Sequence, residues 1–152
     1  MYNGKLHQTT RITTMGILAD IYIARDDEAV SYDTTPDQFA DRSQYKGFTA
    51  LELSILWSIM RGVEWDVAMM DEFPCLLQVD GGARLLHRLP AKLVTELAAL
   101  SPDQVGSVSS AWAATEELCW PPEAAREVIE DLVHLARRAS ETSRSLHLWN
   151  CV

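Results

Sequence analysis

A basic surplus is missing from this chain: 13 Lys and Arg stand against 22 Asp and Glu, a formal net charge of -9. Such a field repels phosphate backbones, so no nucleic-acid partner is expected and a basic protein becomes the natural kind of partner. Long hydrophobic runs are missing too. No stretch approaches the roughly 18 apolar residues that span a bilayer, and the first residues lack the run of about seven that centres a secretory signal. Asp20 stands where a myristoylation signal beginning at Met15-Gly16 wants Ser or Thr. No membrane partner is expected, and the cytoplasm is the expected compartment. Cysteine is sparse. Cys75, Cys119 and Cys151 are an odd number, far apart, with no CxxC pair, and read as reduced thiols of the core. Gly81-Gly82 lacks the Lys-Ser/Thr and the following helix of a phosphate loop, and no other cofactor motif is found, so no cofactor is expected.

What is present is globular. The chain has 152 residues, 47% of them hydrophobic, with five tryptophans to hide, which suits one domain with a sizeable core. Residues 1–14 are polar and without period, so they read as a loose leader or a misplaced start, with the domain running over 15–152 and Met15 rivalling Met1 as the first residue. The alternation of Ile17, Ala19, Ile21 and Ile23 with Leu18, Asp20 and Tyr22 predicts a strand over 16–24 with one fully buried face. Residues 25–46 turn polar and acidic and predict a long surface segment, with one helical turn opened by Thr35-Pro36. Thr49 and Glu52 form a capping box at the head of a helix apolar around most of its circumference, in which Ser54, Ser58 and Arg61 mark the polar stripe and Gly62 the end. This helix is expected to be central.

Residues 63–73 suit a short helix stopped by Pro74. Two apolar runs joined by Asp80-Gly81-Gly82 predict a hairpin. Three helices follow, over 91–100, from Ser101-Pro102 to about Thr115, and from Pro121-Pro122 onward; the last carries Ala125, Val128, Ile129, Leu132, Ala136 and Ala139 as its stripe. SLHLWNCV (145–152) predicts a closing strand. The fold class is α+β: a small mixed or antiparallel sheet of N-terminal strand, central hairpin and C-terminal strand, packed against about four helices.

The chemistry-bearing residues do not assemble into a catalytic motif. Asp131 and His134 share a helix face with Glu127 and Glu130, but a dimetal site needs a second such face, so a solvated, ion-paired surface is the preferred reading and no metal site is expected. His87 lies between Arg84 and Arg88 without a nominated nucleophile or carboxylate, and reads as an exposed strand residue. His147 alternates with Leu146 and Leu148 and belongs on the outer face of the sheet. Cys75 follows Phe73-Pro74 and precedes two leucines, surroundings that suit packing better than nucleophilic catalysis. Glu64, Asp66, Asp71 and Glu72 surround Trp65, and acid around an aromatic anchor is an interface composition, with plain solvation as its rival.

The Met-Gly pair at Met15, the helix of Trp57, the segment LHRLPAKLVTELAALSPDQV (86–105) and the ending LARRASETSRSLHLWNCV (135–152) resemble the small bacterial YfbM-like proteins. The resemblance implies a single α+β domain with a helix-rich C-terminal half and a last strand returning to the sheet. It implies no activity for any named residue.

The favoured functional reading is a non-enzymatic interaction protein that binds a basic partner, as the small acidic immunity proteins of toxin systems do, a comparison of composition only. Residues 1–80 hold 13 acidic against 6 basic side chains, so the expected docking surface lies on 25–41 and 64–72 with Trp65 at its centre. The alternative is a small enzyme or ligand-binding domain whose pocket gathers His87, Arg84 and acids of 64–72. A homodimer, joined through the last strand or the hairpin edge, is a third expectation.

Overall fold

The computed structural model describes residues 16–152. The leader 1–14 and the choice of start at Met1 or Met15 lie outside the described residues.

The alternating stretch forms β1 (Leu18–Ala24), which lies between β2 (Arg42–Lys46) and β5 (Ser145–Cys151). The hairpin forms β3 (Cys75–Val79) and β4 (Arg84–Arg88), and β4 docks on the free side of β5. The result is a five-stranded, fully antiparallel sheet in the order β2-β1-β5-β4-β3. Three consecutive residues with positive φ, Asp80 (52°), Gly81 (68°) and Gly82 (104°), turn the hairpin. The last strand is therefore interior, and its register Ile21↔Leu148 sets two apolar side chains against each other at the centre of the sheet. A dimer joined through that strand has no edge to use.

The helices are α1 (Asp26–Ala29), α2 (Ala50–Arg61), α3 (Ala91–Ala98), α4 (Pro102–Ala113) and α5 (Pro122–Thr142). The expected capping box forms at Thr49, whose amide donates to Glu52 Oε1 over 2.7 Å, and Gly62 ends α2 at φ 68°. Ser101, Pro102 and Gln104 start α4 in the same way. All six stripe residues of α5 are fully buried against β1, β5, α3 and α4. Arg137 on α5 donates to the carbonyls of Ala98 and Leu100, placing positive charge where the end of α3 leaves acceptors open.

Three expectations are corrected here. The hub of the helical layer is α5 and not α2; α2 is buried chiefly against α4, where Trp112 Nε1 donates to the carbonyl of Glu52. Ser54 and Ser58 are buried and return their hydroxyls to the carbonyls of Leu51 and Ile55, so small hydroxyls that bond their own helix face inward, while Glu52 and Arg61 reach solvent. The cysteines are free but not core: Cys75 and Cys119 are exposed and Cys151 is half-buried.

The sheet is covered on both sides. Ala19, Ile21 and Ile23 join the main core under the helices, and Tyr22, Ala24, Leu86 and Trp149 face the other way. That second face is roofed by residues 26–39, through Ala29, Tyr32 and Phe39, with the Tyr22 and Tyr32 rings stacked 4.1 Å apart. The polar segment 25–46 thus supplies a second layer, α1 and two 3₁₀ turns (Val30–Asp33 and Pro36–Gln38), and then the edge strand β2, with Pro36 opening the second turn as expected. Composition hid this layer because only Tyr32 and Phe39, with the small Ala29, carry it.

Candidate functional site

Between α2 and β3 the chain crosses the end of α2, and the local sequence decides its shape. Asp66 accepts a hydrogen bond from the amide of Ala68 over 2.8 Å and caps a 3₁₀ helix over Val67–Glu72. Met69 and Met70 lean on the core, and Phe73 is buried with its ring edge-on to Trp57. These contacts fix both ends of a loop whose middle faces water. Val63, Trp65 and Val67 are 54%, 39% and 68% exposed and alternate with Glu64 and Asp66. The Trp65 indole is not free to turn, because its Nε1 donates to Ser54 Oγ over 2.8 Å while Ser54 donates in turn to Leu51. An anchored, half-exposed indole loses little rotamer freedom on docking.

The two acidic regions named from the sequence separate sharply in the structure. In the first, every carboxylate has a cationic partner within the chain. Asp26 takes Arg88 and His147, Asp27 and Glu28 take Arg25, Asp33 takes Arg84, Asp37 takes Arg42, and Asp41 takes Arg138 through both oxygens. Two of these carboxylates pin the roof to the sheet, Asp26 through Arg88 and His147 and Asp33 through Arg84. In the second region, Glu64, Asp66, Asp71 and Glu72 are exposed and none forms a salt bridge among the described residues. Of the two acidic regions, 64–72 is therefore the one whose negative charge is left to an outside cation.

Beneath the roof, burial and bonding act on the titrating groups in opposite senses. His147 has no exposed side-chain surface and sits against Tyr22; burial pushes its pKa below the ordinary histidine value, although the Asp26 carboxylate 2.9 Å from Nε2 pulls the other way. Burial also works against ionised Asp26 and Asp33, yet hydrogen bonds from His147 and Arg88, and from Arg84 and Trp149, outweigh it and hold both carboxyls low. Asp20 is raised by burial despite bonds from Tyr32 (2.6 Å) and Gln44. His147 does lie on the face opposite Leu146 and Leu148, as its alternation implied, but that face is roofed. Sequence spacing could not show the roof.

His87 and Arg84 are not brought together. Side chains alternate along β4, so Arg84 shares the roofed face with Leu86 and reaches Asp33 and Asp80, whereas His87 pairs across with Leu148 of the main core and with Cys75. Burial lowers the His87 pKa, and its Nδ1 has no partner. The pocket imagined around His87, Arg84 and 64–72 does not assemble. A cavity of about 360 Å³ opens instead between Ile23, Glu28, Phe39, Asp41 and Arg144; it draws on the 25–41 segment but contains neither His87, Arg84 nor any residue of 64–72.

On α5, Arg126 and Glu130 form the expected ion pair, while Asp131 accepts from the Tyr45 hydroxyl and ties α5 to β2. Among the described residues no three His, Cys, Asp or Glu side chains gather closely enough to hold a metal ion, and no helix is long and apolar enough to cross a membrane. Sequence reading passed over Val63 and Val67, although the signal was present: Val63-Glu64-Trp65-Asp66-Val67 alternates apolar with acidic, and that pattern was absorbed into an expected helix. No protein-family model, curated protein or solved structure matches this chain.

Proposed function

We propose that this chain is a non-enzymatic docking protein of the cytoplasm that takes a basic protein partner on residues 63–72, as an immunity or inhibitor protein would. The observation that carries the reading is the composition of the exposed loop. Five large hydrophobic residues are exposed among the described residues, and three of them, Val63, Trp65 and Val67, alternate here with carboxylates that have no internal cation. Apolar anchors ringed by charge of one sign suit a partner that carries apolar sockets within a cationic surface. The sequence expectation of a second docking region on 25–41 is dropped from the proposal, because those carboxylates are engaged inside the chain.

The test begins with a partner recovered from the native host and purified. Trp65→Ala is expected to speed dissociation about 30-fold, the equivalent of a hot spot of about 2 kcal/mol. Asp71→Asn, and Asp66→Asn, which keeps the cap, are expected to slow association and flatten its salt dependence between low and near-physiological ionic strength, where the Debye length is about 8 Å. Kinetics unchanged in all three variants, with no salt dependence, overturn the proposal.

A further inference from the structure

The two edges of the sheet differ in character. At one, β2 reads Arg-Ser-Gln-Tyr-Lys, and charge at both of its ends discourages another strand. At the other, β3 reads Cys-Leu-Leu-Gln-Val, without a charge or a proline. Its ladder runs only to β4, so alternate N–H and C=O groups point away from the sheet with no partner strand among the described residues. Cys75 and Gln78 are exposed, and only the short length and an irregularity between Cys75 and Leu77 blunt the edge. The chain enters β3 directly from the acidic loop, with Asp71 and Glu72 just ahead of Phe73-Pro74.

We infer that β3 is a strand-addition site, which takes an extended cationic segment of the partner as the sixth strand of the sheet while the loop ahead of it meets that segment's basic side chains. The inference rests on the docking role given to residues 63–72 and specifies the partner's conformation there. Charge selects the occupant. Antiparallel pairing of β3 with a second copy would bring the Asp71-Glu72 end of one strand beside the Asp80 end of the other, between two chains of net charge -9. A strand with lysine or arginine on alternate positions meets carboxylates instead, and its backbone satisfies the open groups of β3 whatever its apolar residues are.

The probe is a capped octapeptide of alternating valine and lysine, added to the full ¹⁵N-labelled chain. A version N-methylated at alternate residues and one with glutamate for lysine serve as controls. The inference expects shifts of the 75–79 amides with at least tenfold slower hydrogen exchange there, at least tenfold weaker binding of the N-methylated peptide, and no binding of the glutamate peptide. Cys75→Lys with Gln78→Lys, both at exposed positions, should abolish the 75–79 shifts while the remaining spectrum stays that of the parent. Shifts confined to 63–67 and indifferent to N-methylation would overturn strand addition and leave the docking loop standing. Equal binding of the glutamate peptide overturns the choice of a cationic strand, as does a concentration-dependent dimer, detected by sedimentation, that the double-lysine variant dissolves. Failure of the loop itself is read separately, from Trp65→Ala against the native partner.

Discussion

Asp33 separates carboxylates that hold the fold from those offered to a partner. Its Oδ1 accepts from Arg84 Nε over 2.7 Å and from Trp149 Nε1 over 2.9 Å, and its side chain is 9% exposed. Asp33→Ala strips both bonds and leaves a half-buried indole N–H without an acceptor, while Arg84 keeps only the exposed Asp80. A stranded donor costs about 1–3 kcal/mol and a bond to a charged group contributes about 1.5–3. With overlap between the two, the expected loss is about 3 kcal/mol. For a domain of this size that lowers the melting temperature by about 6–12 °C, and Asp33→Asn, which keeps a neutral acceptor, by about half as much. Circular dichroism melts at pH 7 measure it, with Asp66→Asn on the loop as a control expected to melt like the parent. The pH dependence has a definite sign. The Asp33 carboxyl is held below its ordinary value of 3.8, so its stabilisation is fully present above that pH and is lost as the pH falls through the folded value. The gap between parent and Asp33→Asn must therefore narrow toward pH 3. A gap below one degree at pH 7, or one that stays constant into acid, refutes the claim that this pair pins the roof.

Trp57 is 2% exposed and donates to Glu96 over 2.9 Å, so Trp57→Ala is expected to lose about 3–5 kcal/mol in urea unfolding; a midpoint within error of the parent contradicts its core position. Gly47 has φ 98°, and an added Cβ would stand 3.3 Å from Trp120 Cζ2, so Gly47→Ala is expected to cost about 2 kcal/mol, read from the same transition. Burial lowers the pKa of both His147 and His87, so the unfolded chain binds more protons than the folded one below about pH 6.5. The urea midpoint should accordingly fall between pH 7 and 5.5, and fall less in His147→Gln; an unchanged slope in the variant removes His147 from that dependence.

Local grammar was legible because its causes are local. The capping boxes at Thr49 and Ser101, the Asp80-Gly81-Gly82 turn and the stripe of α5 each depend on neighbours within a few residues, and each forms where the sequence places it. The α+β class follows from the same alternations, which left the sheet mixed or antiparallel; only the strand pairings make it fully antiparallel. Tertiary structure alone decided what no spacing encodes. Burial of β5 between β1 and β4, the second layer formed by 26–39, and the strand at 42–46 all depend on partners in other elements of the chain, beyond the reach of local spacing. So does the meaning of the charges. Asp26, Asp33 and Asp41 read no differently from Asp66 and Asp71 along the chain, and only the fold brings Arg88, Arg84 and Arg138 to the first three while leaving the others to solvent. Composition set the net field of the protein. Which carboxylates remain available to a partner was settled by the long-range placement of a few arginines, because a charge is cancelled by what lies within a few ångströms in space and not by what lies nearby in sequence.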